Sequence, residues 1–421
     1  MLRLGGSDPP RAAITEPARI TAEVGIVAVV LIQNCLISMC YVGKWIALRL
    51  PERSYRKGCC DGFGKRGDRC GPAHPATDWQ GNMSKRVYCT YFDHNYLSRG
   101  LALYHSLARH APGARLWVLC LSDACHEALT ALDLPDLVPR RLADFEAAEP
   151  EVAATRRNRS LIEYYFTCSP AWKLYVLNNE ADAEWVTYLD SDLFFFASPD
   201  PIYDEMGDAS FGIIPHRFAR GLEYRERFGI YNVGWVSVRR CVEGIVALRW
   251  WRERCIEWCH DFVDGDRFAD QRYLDRLPGL FPNVHIIEHL GANLAPWNLA
   301  NVRLDWGDEA VVIDDRYRLV FFHFHGVKRT GRYYFNSHRV FHAPFPKLVR
   351  ERIYQPYIAA LAAAEREASP HLDHGPAVMV RPPAVGKPLD HVFNVLRKAR
   401  TVTYRGIDVV TRRAIAVPPS R

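Results

Sequence analysis

The sequence predicts an α/β fold, a mixed and mostly parallel sheet with helices on both faces, and three observations predict it. Short β-branched and aromatic runs alternate with helical patterns from residue 85 onward, the order that builds parallel sheets. One run, Trp185-Val-Thr-Tyr-Leu-Asp-Ser-Asp-Leu-Phe-Phe-Phe196, ends a strand with two carboxylates in apolar company. Loops carrying Asp and Asn follow the strands, and in such sheets ligands sit beyond the carboxyl ends.

Composition sets the bounds. The chain has 421 residues, 48% hydrophobic and 12% aromatic, enough for a large core and one or two domains. Most of the formal charge of +6 gathers in residues 44–69, so the body is near neutral. That excludes a nucleic-acid groove, which needs a basic face on the folded domain. The twelve cysteines are scattered, and Cys89, Cys120 and Cys241 sit in apolar runs. They read as reduced, buried thiols of a cytoplasmic protein rather than a disulfide framework.

Residues 1–82 form an N-terminal extension. Residues 1–23 are polar and unpatterned and read as disordered. Residues 24–43 carry no charge, and twenty such residues span a hydrocarbon core of ~30 Å as a helix. The basic excess after that segment places the body in the cytoplasm, at the membrane's cytoplasmic face if the segment spans. Met83 directly precedes the first good strand, so the extension also reads as an artefact of an upstream start. Residues 51–82 are a linker. Gly62-Phe-Gly-Lys-Arg-Gly67 has the letters of a dinucleotide fingerprint, without the strand before it or the helix after it. Cys59, Cys60, Cys70 and His74 have no usual zinc spacing.

The folded domain is assigned to residues 83–345. Residues 85–91 are a strand, 92–96 a loop, and Leu101, Leu103 and Leu107 repeat at helical spacing up to Pro112-Gly113. A second strand at 116–121 and a helix at 124–132 follow. Residues 171–177 are a helix feeding the acidic strand. Strands are expected at 211–214 and 229–238, with a long basic loop between them as a flap. Residues 246–261 and those from 268 read as helices, and 311–313 and 319–322 as strands. The C-terminal part, 346–421, holds a helix at 354–364, a Pro-containing linker, and a basic tail that suits an anionic membrane or a solvated helix equally.

The chemistry begins with Asp190 and Asp192. Strand residues two apart point the same way, so these carboxylates repel unless a cation joins them. Asp-Ser-Asp is ordinarily a solvated turn, but Leu189 before it and Leu193-Phe-Phe-Phe196 after it are too apolar for one. Asn232 and Gly234 interrupt an apolar strand, and a glycine there marks close approach of a ligand or another backbone. Lys173 reads by itself as a surface lysine. Trp297 reads as an acceptor platform or as core.

These pieces, in this order, resemble glycosyltransferase family 8, the retaining, metal-dependent enzymes of the GT-A fold, over about residues 84–335. Asp93-His-Asn-Tyr96 resembles the family's nucleotide-binding opening, and Val186-Thr-Tyr-Leu-Asp-Ser-Asp192 its metal motif. Tyr231-Asn-Val-Gly234 resembles its Phe-Asn-x-Gly strand, and Asp270-Gln271 with Leu274 its Asp-Gln-x-x-Leu element. His323-x-x-Gly326 resembles the start of its His-x-x-Gly-x-x-Lys-Pro-Trp motif, although Arg329 stands at the lysine position beside Lys328 and Thr330-Gly331 replace Pro-Trp.

The resemblance implies a transfer of sugar, with retention, from a nucleotide-sugar, a UDP-sugar by preference, to a glycan or glycolipid. It implies Asp190, Asp192 and His323 as metal ligands, with His325 a second candidate. Such a mixed oxygen and nitrogen set suits Mn²⁺ better than Mg²⁺. Asp93, Asn95 and Tyr96 would take the base or ribose, and Lys173, Lys328 or Arg329 the diphosphate. Asn232, Asp270 and Gln271 would lie at the reacting sugar. Two alternatives stand beside this: a catalytically inactive binding scaffold, and a sugar nucleotidyltransferase, which the glycine-free first loop disfavours.

Overall fold

The chain is described by a computed structural model for residues 85–372, 405–409 and 411–417, which fall in one compact unit. The uncharged segment 24–43, the linker 51–82 and most of the basic tail lie outside the described residues. Among the described residues, no helix is long and apolar enough to cross a membrane.

The first strand, β1 (Arg86–Phe92), is followed by helix α1 (Leu97–His110), strand β2 (Arg115–Cys120), helix α2 (Asp123–Leu132) and strand β3 (Leu137–Arg141). Ser122 starts α2 by accepting from the Cys125 amide, a side-chain cap on an otherwise unpaired donor. The long helix α3 (Leu161–Asn179) leads into β4 (Trp185–Leu189) and the short β5 (Leu193–Phe195). Strands β6 (Phe211–Pro215) and β7 (Tyr231–Arg239) precede helix α4 (Val242–Glu257), and β8 (Val284–Ile286) completes the sheet.

Seven strands form that sheet in the order β3-β2-β1-β4-β7-β6-β8. Only β7 runs against its neighbours; every other pairing is parallel. The mixed, mostly parallel sheet with helices on both faces is therefore the architecture the sequence implied. One face packs on α3 and α4 through Val87, Val186, Trp172 and Trp251, and the other on α1 and α2 through Leu101, Leu116, Leu189 and Trp235. All five residues of β4 are buried, as a central strand covered on both sides must be.

A second, two-stranded sheet hangs from the end of the first. Strand β9 (Phe321–His323) pairs antiparallel with β5, register His323 to Leu193 and Phe321 to Phe195. Beneath it lies helix α5 (Gln355–Ala368), whose Tyr357 stacks on Phe324 at 3.8 Å between centroids. This helix, assigned by the sequence to a separate C-terminal part, is built into the core beside α1: Tyr357, Ile358 and Leu361 are buried in it.

Helix boundaries moved for physical reasons. α3 starts ten residues before the expected 171, because Ser160 and Glu163 form a reciprocal capping box and the helix accommodates Pro170. α4 starts at Val242 rather than 246 because the Cys241 side chain caps it, accepting from the Gly244 amide. The helix expected from 268 is instead a 3-10 turn, Gln271–Arg276, with a short helical turn after it. The seven cysteines among the described residues are free, and six are buried.

Candidate active site

The acids are positioned by the sheet and the imidazole by the appended hairpin. β4 ends at Leu189, and the Asp190 amide then donates to the Gly234 carbonyl at 3.1 Å, tying the acidic turn to β7. The Leu193 amide donates to the Asp190 carbonyl at 3.1 Å, which closes the turn before β5. Pairing of β5 with β9 brings His323 alongside, and the Phe324 amide donates to the Asp192 carbonyl at 2.9 Å. Two segments remote in sequence are thus stitched through their backbones, so the side chains meet without a long search.

His323 Nε2 lies 3.0 Å from Asp192 Oδ1 and 3.6 Å from Asp190 Oδ2. Donor atoms of Asp192, His323 and His325 all fall within 4.8 Å of one another. Tyr188 Oη donates to Asp190 Oδ1 at 3.0 Å. Trp297 sets its ring edge-on to His323 at 4.9 Å and to His325 at 5.7 Å. It is buried, packs on both imidazoles, and also lines the adjoining cleft.

The electrostatics are those of crowded acids. Burial and the neighbouring Asp192 push the Asp190 carboxyl up, against the pull of His323. Burial raises Asp192 as well, but the facing His323 charge and its hydrogen bond overrule it and hold the carboxyl at about 2. Burial disfavours protonated His323, yet Asp192 outweighs burial and lifts it above the ordinary range. A dication among these groups would replace the proton that His323 otherwise supplies. Carboxylate oxygens and imidazole nitrogens in one cluster fit Mn²⁺ or a similar first-row ion.

Gly234 shows why β7 needs a glycine there. A Cβ would lie 2.6 Å from Asn232 Oδ1 and 2.9 Å from His323 Cε1. The sequence suggested a ligand or another backbone there; the close neighbours are instead the side chains of Asn232 and His323. A register shift in the β6–β7 pairing between Ile213 and Ile214 carries Asn232 toward the same place. Asn232 Oδ1 accepts from the Gly234 amide at 3.1 Å, and its Nδ2 donates to His216 Nε2 at 3.2 Å. His216 Nδ1 in turn donates to the Ile230 carbonyl at 3.1 Å. Burial drops the His216 imidazole to about 3, so it stays neutral and orients Asn232.

A cleft of about 490 Å³ opens beside the acids. Asp190, His323, His325, Asn232, Gln271 and Arg225 are among the residues that line it. Gln271 Nε2 donates to the Phe228 carbonyl at 2.9 Å, on the flap between β6 and β7. Asp190, Asn232, Gln271 and His323 therefore meet around one space.

The other sequence candidates stand apart from that lining. Asp93 caps its own turn, accepting from the Asn95 amide at 3.0 Å and from Asn95 Nδ2 at 3.1 Å, with Tyr96 exposed beside them under Arg99. Lys173 is no surface lysine: it is wholly buried, its Nζ 3.0 Å from Ser169 Oγ and 4.0 Å from the Tyr188 ring centroid. Asp270 is buried with it, and one carboxylate oxygen has no partner. Arg329 is ion-paired with Glu365 on α5, outside the cleft. Lys328 is exposed and near enough to His325 to disfavour its protonation.

Three contributors were not foreseen. Arg99 on α1 reaches Asp192 electrostatically and donates to the Val327 carbonyl at 2.7 Å. His216 and Arg225 come from the flap. Its sequence signal was there in part, since a histidine followed by arginines and aromatics in a loop between two core strands is unusual for a plain connection.

Two relatives resemble the chain over most of its described length. The uncharacterized protein YfnD of Bacillus subtilis (strain 168) is 32% identical over 282 residues, 66% of this chain and 89% of YfnD. The uncharacterized protein YfnF of the same organism is 33% identical over 250 residues, 58% of this chain and 82% of YfnF. Among solved structures, the galactosyltransferase LgtC in complex with donor and acceptor sugar analogs is 18% identical, covering 63% of this chain and 100% of LgtC at a TM-score of 0.39. The apo bifunctional glycosyltransferase WbbM is 14% identical, covering 72% of this chain and 53% of WbbM at a TM-score of 0.40. No protein-family model matches the chain.

Proposed function

The chain belongs to the family of YfnD and YfnF, and from its own site geometry we propose that it is a metal-dependent glycosyltransferase. It moves a sugar from a nucleoside-diphosphate sugar, by preference a UDP-sugar, to a glycan or glycolipid acceptor. The observation that carries this reading is the meeting of Asp190 and Asp192 with His323, where Asp190 and His323 line a cleft large enough for a sugar.

Asp190, Asp192 and His323 would hold the ion, with His325 at hand as a further donor. When bound, it would supply positive charge where the leaving diphosphate becomes negative. The chain's own residues do the rest. Asn232, fixed by His216 and the Gly234 amide, presents its amide to the sugar side of the cleft. Gln271 lines the same cleft, with the Asp261 carboxylate also among its lining residues. Asp270 is sealed beneath and holds charge balance with Lys173 rather than touching sugar.

A second reading, nucleotide binding without turnover, draws support from Arg329, whose pairing with Glu365 keeps it from the diphosphate. A screen of nucleotide-sugars with Mn²⁺, following nucleoside diphosphate release, separates the two. Release that depends on Mn²⁺ supports transfer. Metal-dependent UDP binding with no release from any donor moves the case to the second reading, and no nucleotide binding at all sinks both.

A further inference from the structure

The sequence motif places Arg329 where a cation should grip the diphosphate, and the structure turns that side chain away. Its guanidinium pairs with Glu365, and its Nε donates to the Gly331 carbonyl at 3.2 Å. A different arginine faces the cleft. Arg225 sits on the flap turn Glu223–Phe228, is partly buried, and lines the same space as Asp190, His323 and His325.

Arg225 is held in place but not neutralised. Its guanidinium carbon lies 4.7 Å from the Phe341 ring centroid, and Phe341 packs against His325 at 5.8 Å. Its Nε is buried with no hydrogen-bond partner. The nearest acids in sequence are used elsewhere or face water: Glu223 accepts from the Gly221 amide at 2.7 Å, and Glu226 is exposed. A partly desolvated guanidinium with an orphan donor is costly unless an anion completes it. Its planar fork matches phosphate oxygens, and the stacked ring limits how it can turn.

We propose that Arg225 is the diphosphate-gripping cation of this site, reaching in from the flap to take phosphate oxygens in the role the motif assigns to position 329. The proposal rests on the glycosyltransferase reading for the identity of the anion. It makes the flap part of the donor site, so donor binding and flap position are coupled. It also frees Arg329 to be a structural tie between the strand Lys328–Thr330 and α5.

The test is calorimetry on the full chain with inorganic pyrophosphate and with UDP, each with and without Mn²⁺, for wild type, Arg225→Gln, Arg225→Lys and Arg329→Gln. Arg225→Gln is expected to weaken Mn²⁺-dependent binding of both probes about tenfold to a hundredfold, the range of a charge-assisted pair. Arg225→Lys should lose less, and Arg329→Gln should stay within about twofold of wild type. Should Arg225→Gln fold poorly, the lysine variant against Arg329→Gln carries the comparison. Unchanged pyrophosphate and UDP affinity in the Arg225 variants overturns the proposal while leaving the transferase reading intact. Pyrophosphate bound through Arg225 with no nucleoside diphosphate bound overturns the reading and keeps the anion site. A loss in Arg225→Gln that is equal without Mn²⁺ supports the diphosphate contact and shows that Arg225 makes it independently of the ion.

Discussion

Two charged clusters lie on opposite sides of Tyr188, and they answer the same problem differently. On the cleft side, Asp190 and Asp192 face the His323 imidazole, and the carboxylates remain partly open to water. On the core side, Lys173 and Asp270 are sealed, with Nζ bonded to Ser169 and cradled by the Tyr188 and Trp251 rings at 4.0 and 4.7 Å. The sealed cluster sets one cation near one acid, both closed to water. The open cluster leaves its acids in excess, which a ligand cation must correct. Water access and charge count therefore separate a buried structural charge cluster from a binding site more clearly than residue type does.

The comparison breaks first at Asp192. Asp192→Ala should cut metal-dependent turnover by about a thousandfold, near 4 kcal/mol of transition-state stabilisation. Its thermal midpoint should fall below that of wild type, because the His323 partner that holds the Asp192 carboxyl at about 2 stabilises the fold at neutral pH and is lost. Full turnover in this variant would remove the open cluster from the chemistry. The sealed cluster is tested on stability. Lys173→Met leaves a buried acid unpaired and should cost about 3 kcal/mol of folding stability, read from urea midpoints. Adding Asp270→Asn should recover most of that loss. A Lys173→Met protein as stable as wild type would show that the pair is not structural.

Much of this contrast was legible in the sequence, and the reason for the rest is instructive. The acidic strand end was readable because Leu189 and Leu193-Phe-Phe-Phe196 left those charges no solvent. The His323 partnership was readable only through the motif order, since the β5–β9 pairing is a long-range contact with no local signal. Lys173 was misread because helical spacing alone does not tell a surface face from one covered by a second layer. α3 is buried without a break from Thr167 to Leu174, so no face around Lys173 reaches solvent. Arg329 was misplaced for a similar reason. A motif fixes a position along the chain, while Glu365 on a distant helix decides where the side chain points.

Smaller effects sharpen the open side. Gly234→Ala forces a methyl against Asn232 Oδ1 and His323 Cε1, both locked by their own partners. It should cost about 1–3 kcal/mol and weaken Mn²⁺ binding measured calorimetrically. Gly212→Ala meets the Met206 sulfur at an even shorter distance, but that side chain is flexible and far from the acids. It should cost less and leave Mn²⁺ affinity unchanged. Equal metal affinity in the two variants would mean that Gly234 does not set the His323 position.

The smallest effect concerns the neutral imidazole that orients Asn232. Burial lowers His216 from 6.5 to about 3, with the Ile230 carbonyl opposing and His323 and His325 reinforcing the drop. The unfolded chain therefore binds a proton between those values that the folded chain refuses. The sign follows: the stability His216 contributes is complete above pH 6.5 and is lost as pH falls toward about 3. His216→Gln cannot take up that proton in either state. Its thermal midpoint should be lower than wild type at pH 7, and its unfolding free energy should fall less between pH 6.5 and pH 4, by about 1–2 kcal/mol. Parallel curves over that window would mean His216 is solvated enough to titrate normally. Asn232 would then be fixed by the Gly234 amide alone, and the flap would carry no polar link to that side chain.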